Sequence, residues 1–487
     1  MDILNRPLEE LAKLSMNRLM ELKTLERASK SLLYRDKWEA AGIQPEKIET
    51  YDDFAEIPFV TSREILEIMF KGPIEEVLCS DVAHWFCTTG TTGNPKWIPY
   101  GRKDIELFME IRDRSAKLLP AIKGLRAFAI SGPPPFVEDG LANLNMIRQM
   151  LTNTQLTDGV TVCLTEVEHK EAIDFALDTK PNIIMSFPGF AARFAEIVEE
   201  NAPVVTKKAF VEHKTLRNLL EYIVTRFKKI RPKDLSKFRW GLFGGEPLDP
   251  YRQVLAERFG LEPYEMYLFT EFMPPAMECC MHEGMHLWID ICIPEIIPEE
   301  ELEKEALDTS YKPKAIPLWD AEECLRGEYV LTTSGQALPL VRYRFGDLIE
   351  VVSTKPCRCG VTHPRIKVPR RSDSTICLGA IRFPATKLEE ILLQPTKYGA
   401  AGRWQLEITR EGYRPKPIIR VEPTKEITNK ELFLSEISNR LKELEILETG
   451  VENKLVAEPD IILEERLPDK GRRVTKTGRI IYEGENN

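Results

Sequence analysis

Residues Thr88–Lys96 read TTGTTGNPK and follow the strand-like run Val82–Cys87. Four threonines, two glycines and a lysine thus fall within nine residues. Glycines let main-chain N–H groups approach an anion closely, and the hydroxyls and the ammonium add further donors. The composition is that of a phosphate cradle. It is not the common P-loop, because the spacing GxxxxGK[ST] is absent and no Ser or Thr follows Lys96. A second extended run, Trp97–Tyr100, comes next, and a helix pattern begins only near Arg102 and runs to about Leu119. The stretch therefore reads as a loop between two strands. Taken alone it is also compatible with a plain surface turn.

The rest of the chain narrows the choice. Its 487 residues suffice for two or three domains with a large core. Hydrophobic residues at 43% and charged residues at 30% give an ordinary globular balance. A net charge of −10 argues against a general nucleic-acid or anionic-membrane surface. No apolar run reaches the roughly 18–20 residues of a membrane span. The opening MDILNRPLEELAKL is charged throughout and lacks the apolar core of a signal peptide, so the expected location is the cytoplasm. In that compartment the ten cysteines are read as thiols or metal ligands rather than disulfides. Most, like Cys163, sit singly in apolar runs and read as buried small residues.

Residues 1–60 read as helices ending in PFVTSREI, where Thr61 or Ser62 caps a helix running through Ile68. From about residue 80 a βαβ rhythm sets in. Leu125–Ile130, Gly159–Leu164 and Pro181–Phe187 are predicted strands and His169–Thr179 a helix. Helical spacing is clearest over His213–Ile230, with Leu216, Leu219, Leu220, Ile223, Phe227 and Ile230 on one face. Phe238–Phe243 and Glu265–Leu268 are two further strands. Ligands of open α/β sheets bind beyond the carboxyl ends of strands, which directs attention to Gly244–Pro247 and Thr270–Glu271. From Arg326 the runs GEYVLTTSG and LVRYRFGDLIEVV predict a β-hairpin or small barrel. Beyond residue 370 the pattern is α+β: helices Ala385–Leu393 and Lys430–Leu447, and strands Trp404–Arg410, Pro417–Val421 and Asp460–Glu465. The expected fold class is α/β. A large domain, residues 1–370, has mainly parallel sheets covered by helices and a β-rich closing part at about 326–369. A small mobile α+β domain spans 371–487.

Six motifs in order, TTGTTGNPK, FGGEP (Phe243–Pro247), YLFTE (Tyr267–Glu271), RYRFGD (Arg342–Asp347), RRSD (Arg370–Asp373) and GAIRFP (Gly379–Pro384), resemble those of the adenylate-forming superfamily of acyl-CoA synthetases, adenylation domains and luciferases. The segment Tyr34–Ile65 is similar to the opening of its phenylacetate-CoA ligase branch. The resemblance implies two half-reactions. A carboxylate attacks the α-phosphate of ATP to give an acyl-adenylate and pyrophosphate, and a thiol, usually coenzyme A, then displaces AMP. It implies that Thr88, Thr89, Gly90, Thr91, Thr92, Gly93 and Lys96 hold the leaving phosphates, and that Gly245, Glu246 and Pro247 line the adenine. Tyr267 would stack on the adenine, Thr270 would contact the α-phosphate and Glu271 would hold Mg²⁺. Asp347, helped by Arg371, would bind the ribose, and Asp373 would be the hinge of the small domain. The family's T-x-x-G-K ending is TKTGRI here, which puts Arg479 at the lysine position with Lys476 three residues earlier. Arginine keeps the charge but carries a planar, bulkier head. A substrate pocket between GPPPF, FPGF and Gly244–Glu246, with Phe136, Phe187 and Gly244, would favour an apolar or aromatic acid.

Cys279, His286, Cys357 and Cys359 form a second constellation, in ECCMHEGMH and CRCG, with Cys280 and His282 as competing ligands. Thiolates with one imidazole suit a closed tetrahedral zinc site, and zinc-bearing members of the branch look similar in both segments. The expected function is an acid–thiol ligase using Mg·ATP, an acid and coenzyme A, with structural zinc, no nucleic-acid or membrane partner, and a homodimer as the expected assembly. A second reading keeps adenylate formation but changes the acceptor, to a cofactor hydroxyl, an amine or a protein. A third, suggested only by Arg479, is a nucleotide- and zinc-binding protein that has lost ligase activity.

Overall fold

Thr61 ends a two-residue strand, Val60–Thr61, and caps the helix Ser62–Lys71. Its hydroxyl meets the Glu64 backbone while the Glu64 carboxylate reaches back to the Thr61 N–H at 2.8 Å, a reciprocal cap that makes Thr61, of the two candidates Thr61 and Ser62, the capping residue. The computed structural model describes residues 2–87, 96–120, 126–130, 180–308, 310–371, 375–424, 427–468, 470–474 and 477–482. The TTGTTGN stretch from Thr88, the segment GPPPF with Phe136, the expected strand Gly159–Leu164 and helix His169–Thr179, Asp373 and Lys476 lie outside the described residues. No described helix is long and apolar enough to cross a membrane.

Two compact units emerge, one formed by Met1–Ala121 and Tyr264–Asp373, the other by Ile122–Pro263 and Ser374–Asn487. In the first, the strands run in the order Ile316–Pro317, Cys292–Pro298, Arg326–Thr333, Tyr343–Ser353, Arg365–Arg371, Met285–Leu287, Phe272–Glu278 and Glu262–Phe269. Their pairings are antiparallel, while Val60–Thr61 adds in parallel beside Tyr343–Arg344. The predicted hairpin of Arg326–Thr333 and Tyr343–Ser353 is therefore part of a larger sheet. A separate antiparallel pair, His84–Cys87 with Trp97–Tyr100, brackets the threonine-rich loop, with Cys87 opposite Trp97. That pairing fits a loop between two strands and not a P-loop entering a helix.

The second unit holds the parallel strands Ala127–Ile130, Ile183–Ser186 and Trp240–Gly244. It also holds a five-stranded sheet built on Ala401–Glu411 and Arg414–Pro423. One apolar core, including Phe128, Phe194, Phe243, Phe259, Trp404, Val421 and Ile437, runs through both parts. Polar contacts reinforce it. Tyr413 donates to Glu196 at 2.6 Å, Arg414 pairs with the same carboxylate, and Lys454 meets Glu200 at 3.0 Å.

Two helices differ from the sequence reading. The His213–Ile230 pattern holds the helix Leu216–Phe227, capped by Thr215, while His213 ends a long helix, Pro188–His213, that the sequence reading did not mark. The apolar face of the shorter helix, Leu216, Leu220, Ile223, Val224 and Phe227, is exposed. The run Lys430–Leu447 breaks into Lys430–Leu441 and Glu445–Glu452.

Gly478, from TKTGRI, lies opposite Trp404 in parallel register, and a Cβ there would fall 2.1 Å from the buried indole. Gly478→Ala is expected to lower stability by about 1–3 kcal/mol through overpacking, read as a lower urea midpoint at unchanged slope.

Candidate active site

Two sequence motifs meet here residue against residue. Tyr267, Phe269 and Glu271 stand at every second position of YLFTE, and Tyr343, Phe345 and Asp347 do the same in RYRFGD. Alternate residues of a strand share a face. The Tyr267 hydroxyl donates to Asp347 Oδ2 at 2.5 Å, and the Tyr343 hydroxyl donates to Glu271 Oε1 at 2.8 Å. Between them the Phe269 and Phe345 rings stack at 4.6 Å. Each motif's tyrosine thus holds the other motif's carboxylate. The strands involved are four steps apart in the sheet order, about 19 Å if the sheet were flat, so the sheet must curl to bring these side chains together. Gly346, at φ +86°, supplies the backbone turn just before Asp347.

Lys96 completes the centre. Its ammonium has three N–H donors and meets Glu271 Oε1 at 2.5 Å, Ser62 Oγ at 2.8 Å and Tyr343 Oη at 3.0 Å. The lysine and glutamate side chains are only 15% and 5% exposed. Burial alone pulls a lysine down and a carboxylic acid up. At Lys96 the charge of Glu271 and the bond to it outweigh burial, and the ammonium is held above its ordinary range. At Glu271 the charge of Lys96 and the hydroxyl of Tyr343 likewise outweigh burial, and the carboxyl stays below its ordinary value. The adjoining residue, Thr270, is held through its carbonyl by the Tyr100 hydroxyl at 2.9 Å. Arg371 lies opposite Asp347 in the register of paired strands.

The sequence reading named Lys96, Thr270, Glu271, Tyr267 and Asp347, and these five lie in one unit on interlocking elements. It gave Tyr343, Ser62 and Tyr100 no part in the site, although Tyr343 stands in RYRFGD and Ser62 was a candidate helix cap. Gly244–Pro247, Phe187 and Arg479 belong to the second unit. There the Phe187 ring lies against Gly245, where a Cβ would fall 2.0 Å from a ring carbon, and Gly245 takes φ +86°. The Glu246 carboxylate is buried, accepts from the Gly189 N–H at 2.8 Å at the start of helix Pro188–His213, and is pushed up by that burial. Arg479 donates to the Gly471 carbonyl at 2.9 Å.

The second constellation also converges. Ligand atoms of Cys279, His286, Cys357 and Cys359 all lie within 4.8 Å of one another. Cys279 Sγ is 3.8 Å from Cys357 Sγ, and Cys359 Sγ is 3.4 Å from His286 Nε2. Tetrahedral zinc with Zn–S near 2.3 Å and Zn–N near 2.0–2.1 Å demands separations of about 3.8 and 3.6 Å. His286 Nδ1 lies 3.1 Å from the His363 carbonyl, a partner that leaves Nε2 as the ligating nitrogen. Cys280 is exposed and His282 faces Glu278 at 3.2 Å, so neither belongs to the cluster.

No family model matches the chain. Its sequence is 26% identical over 427 residues to the phenylacetate-coenzyme A ligase of Pseudomonas putida, covering 84% of this chain and 82% of that one. It is 24% identical over 438 residues to the phenylacetate-coenzyme A ligase of Escherichia coli, covering 86% of each. Among solved structures it is similar to 2-hydroxyisobutyryl-CoA ligase in complex with 2-HIB-AMP and CoA in the thioesterification state. The TM-score there is 0.66 at 21% identity, over 99% of this chain and 91% of that one. The acyl acid amido synthetase GH3.15 shares the fold more distantly, with a TM-score of 0.51 at 13% identity over 94% and 88%. The chain is thus a relative of the phenylacetate-CoA ligases in sequence and has the fold of the adenylate-forming acyl-CoA ligases.

Lys96→Met would strand a buried carboxylate and should cost about 3–5 kcal/mol at neutral pH. Glu271, depressed in the folded protein, contributes stability above its ordinary value of 4.5, and that contribution fades as the pH falls below it. In the variant the same carboxyl is raised by burial and takes up a proton on folding, so acid favours the variant's folded state. The deficit against the parent, measured by urea denaturation, should therefore shrink from pH 7.5 to pH 5.

Proposed function

We propose that the chain is an ATP-dependent acid–thiol ligase that makes an acyl-adenylate from a carboxylic acid and passes the acyl group to coenzyme A. The observation that carries this reading is the reciprocal clasp of YLFTE and RYRFGD with Lys96 seated on Glu271. Adenylate formation must hold two anions together while negative charge moves onto pyrophosphate. It therefore needs a cation for the leaving phosphates, a carboxylate for the magnesium ion carried by ATP, and an acceptor for the ribose hydroxyls. Lys96, Glu271 and Asp347 fit those needs in charge, and a tyrosine hydroxyl orients each carboxylate.

In the first step a carboxylate oxygen of the acid attacks the α-phosphorus, the bond from that phosphorus to the bridging oxygen breaks, and pyrophosphate leaves. Lys96 is then needed by the leaving phosphates and exchanges Glu271 for them. In the second step the thiol of coenzyme A attacks the acyl carbon, AMP leaves, and the thiol proton passes to solvent. Asp373 is assigned as the hinge and Arg479, with Lys476, as the C-terminal cation for the first step. The Phe187 ring against Gly245 gives the loop Gly244–Pro247 an apolar neighbour, which suits an apolar or aromatic acid.

The Cys279–His286–Cys357–Cys359 cluster fits a structural zinc ion, bound by four protein ligands with none open to substrate.

Carboxylate-dependent ATP–pyrophosphate exchange over a panel of carboxylic acids tests the first half-reaction, and thioester formation on adding coenzyme A tests the second. Exchange with an arylacetic or other apolar acid, followed by thioester, is the expected outcome. Exchange without thioester would move the acceptor elsewhere, and no exchange with any acid would overturn the ligase reading.

Elemental analysis should find one zinc per chain. Cys357→Ser/Cys359→Ser should lose it, with melting lower by about 3 °C, the shift expected for roughly 3 kcal/mol in a protein of this size.

A further inference from the structure

Two residues of RYRFGD, Arg342 and Arg344, have no part in the clasp, and Arg342 is buried, charged and held in a rare conformation. Arg342 is 4% exposed and has φ +49°, in the left-handed region that residues with a Cβ seldom occupy. It immediately precedes Tyr343. Its guanidinium forks onto Glu295, from Nε at 3.2 Å and Nη2 at 2.9 Å. Nη1 donates to the carbonyl of Ile57 at 2.8 Å and also to that of Ala55. The plane lies over the Phe59 ring at 4.1 Å. Glu295 is fully buried and accepts a further bond from the Tyr51 hydroxyl at 2.8 Å.

The main chain of Arg342 is fixed as tightly as its side chain. Its N–H donates to Thr332 Oγ1 at 2.8 Å and its carbonyl accepts from the Val60 N–H at 3.1 Å. That last bond opens the parallel pairing of Val60 with Tyr343 and Thr61 with Arg344. Two arms therefore leave this one residue. Along the chain comes Tyr343, whose hydroxyl holds Glu271. Across the parallel pairing, through the segment Ala55–Thr61 that the guanidinium grips, comes Ser62, whose hydroxyl holds Lys96. Both hydroxyls that orient the Lys96–Glu271 pair are set from Arg342.

We propose that Arg342 is a positioning residue for the Lys96–Glu271 centre, acting through Tyr343 and Ser62 without touching either charge. The proposal rests on the ligase reading for its kinetic consequences. A plain structural crosslink between Glu295 and the Ala55–Phe59 segment would need the guanidinium alone. It would not need a left-handed backbone one residue before the tyrosine that carries the contact to Glu271. Strained conformations persist where surrounding bonds over-determine them, and here six polar contacts and a ring do so. Lysine could keep the charge beside Glu295 but not the fork.

Arg342→Lys should lower the rate of carboxylate-dependent ATP–pyrophosphate exchange about 100-fold, the scale expected when reacting groups are misplaced by about 1 Å. The KM for the acid and thioester formation from a supplied acyl-adenylate should both stay within about twofold. Tyr343→Phe, which deletes one arm's hydroxyl, should show the same split. Because Arg342 acts partly through that hydroxyl, the double variant should lose less than the product of the two single losses. Multiplicative losses, equal losses in both half-reactions, or an exchange defect that merely follows the fraction of folded protein would overturn the proposal. Should Arg342→Lys fail to fold, Tyr51→Phe loosens Glu295 alone and must give a smaller defect with the same split between half-reactions. Its failure to do so would also overturn the proposal. Calorimetric binding of Mg·ATP separates the two levels of inference. A parent protein that binds Mg·ATP but exchanges with no acid sinks the ligase reading, while binding weakened about tenfold in Arg342→Lys would still support the positioning role.

Discussion

A carboxylate and an ammonium sharing a nearly dry site set the terms for the rest of this structure. Removing two charges from water is costly, and the cost is recovered only when geometry and further hydrogen bonds are good. Lys96 and Glu271 meet that condition through two hydroxyls: Tyr343 and Ser62 take the other two ammonium donors, and Tyr343 also donates to the Glu271 oxygen that faces Lys96. The arrangement keeps Glu271 ionised in surroundings that would otherwise neutralise it. Under the proposed ligase function, a site that receives a polyphosphate and a divalent cation benefits from this. The negative charge is already present and oriented, and the cation holding it is the one that the proposal assigns to the leaving phosphates.

The clasp between the two motifs explains why their residue types recur at a spacing of two. Position by position, tyrosine meets aspartate, phenylalanine meets phenylalanine, and glutamate meets tyrosine. The stacked rings exclude water from both flanking hydrogen bonds, which strengthens each of them. Neither strand could do this from a neighbouring position in the sheet, where side chains on one face point the same way instead of at each other. Curling of the sheet is thus a requirement of the site.

The stretch Thr88–Lys96 and the pair Thr270–Glu271 were legible in the sequence because glycine, threonine, lysine and carboxylates carry their chemistry with them, whereas Tyr267 and Asp347 were named through the resemblance of their motifs. What each touches was not. Nothing in RYRFGD announces that Tyr343 reaches Glu271, 72 positions away in the chain, because the contact is a product of sheet curvature. Secondary structure divides along the same line. The expected cap of the helix over residues 62–71 forms, on Thr61 of the two candidates, since a cap is decided within four residues. The helix Pro188–His213 was hidden, because Pro203 inside it reads as a breaker. In Lys430–Leu447 the chain breaks near Leu444, where no glycine or proline marks the end. The periodicity of Leu216–Phe227 was read correctly as helical, yet it does not report burial: Phe227 is 88% exposed.

The four-ligand cluster belongs to the same mechanical problem as the clasp. Between Tyr343–Ser353 and Glu262–Phe269 the sheet runs through Arg365–Arg371, Met285–Leu287 and Phe272–Glu278. Cys279 directly follows the last of these strands, and His286 lies on Met285–Leu287, opposite Arg365. Cys357 and Cys359 occupy the turn joining Tyr343–Ser353 to Arg365–Arg371. The ligands therefore come from the strands that separate the two clasped motifs, and from the turn that ends the strand bearing Asp347. Hydrogen bonds between neighbouring strands fix spacing but leave curvature soft. A closed tetrahedral ion at this edge would tie three of the intervening elements to a single point. The distance across which Tyr267 and Glu271 must reach RYRFGD would then be set by bond lengths rather than by the bending of a sheet.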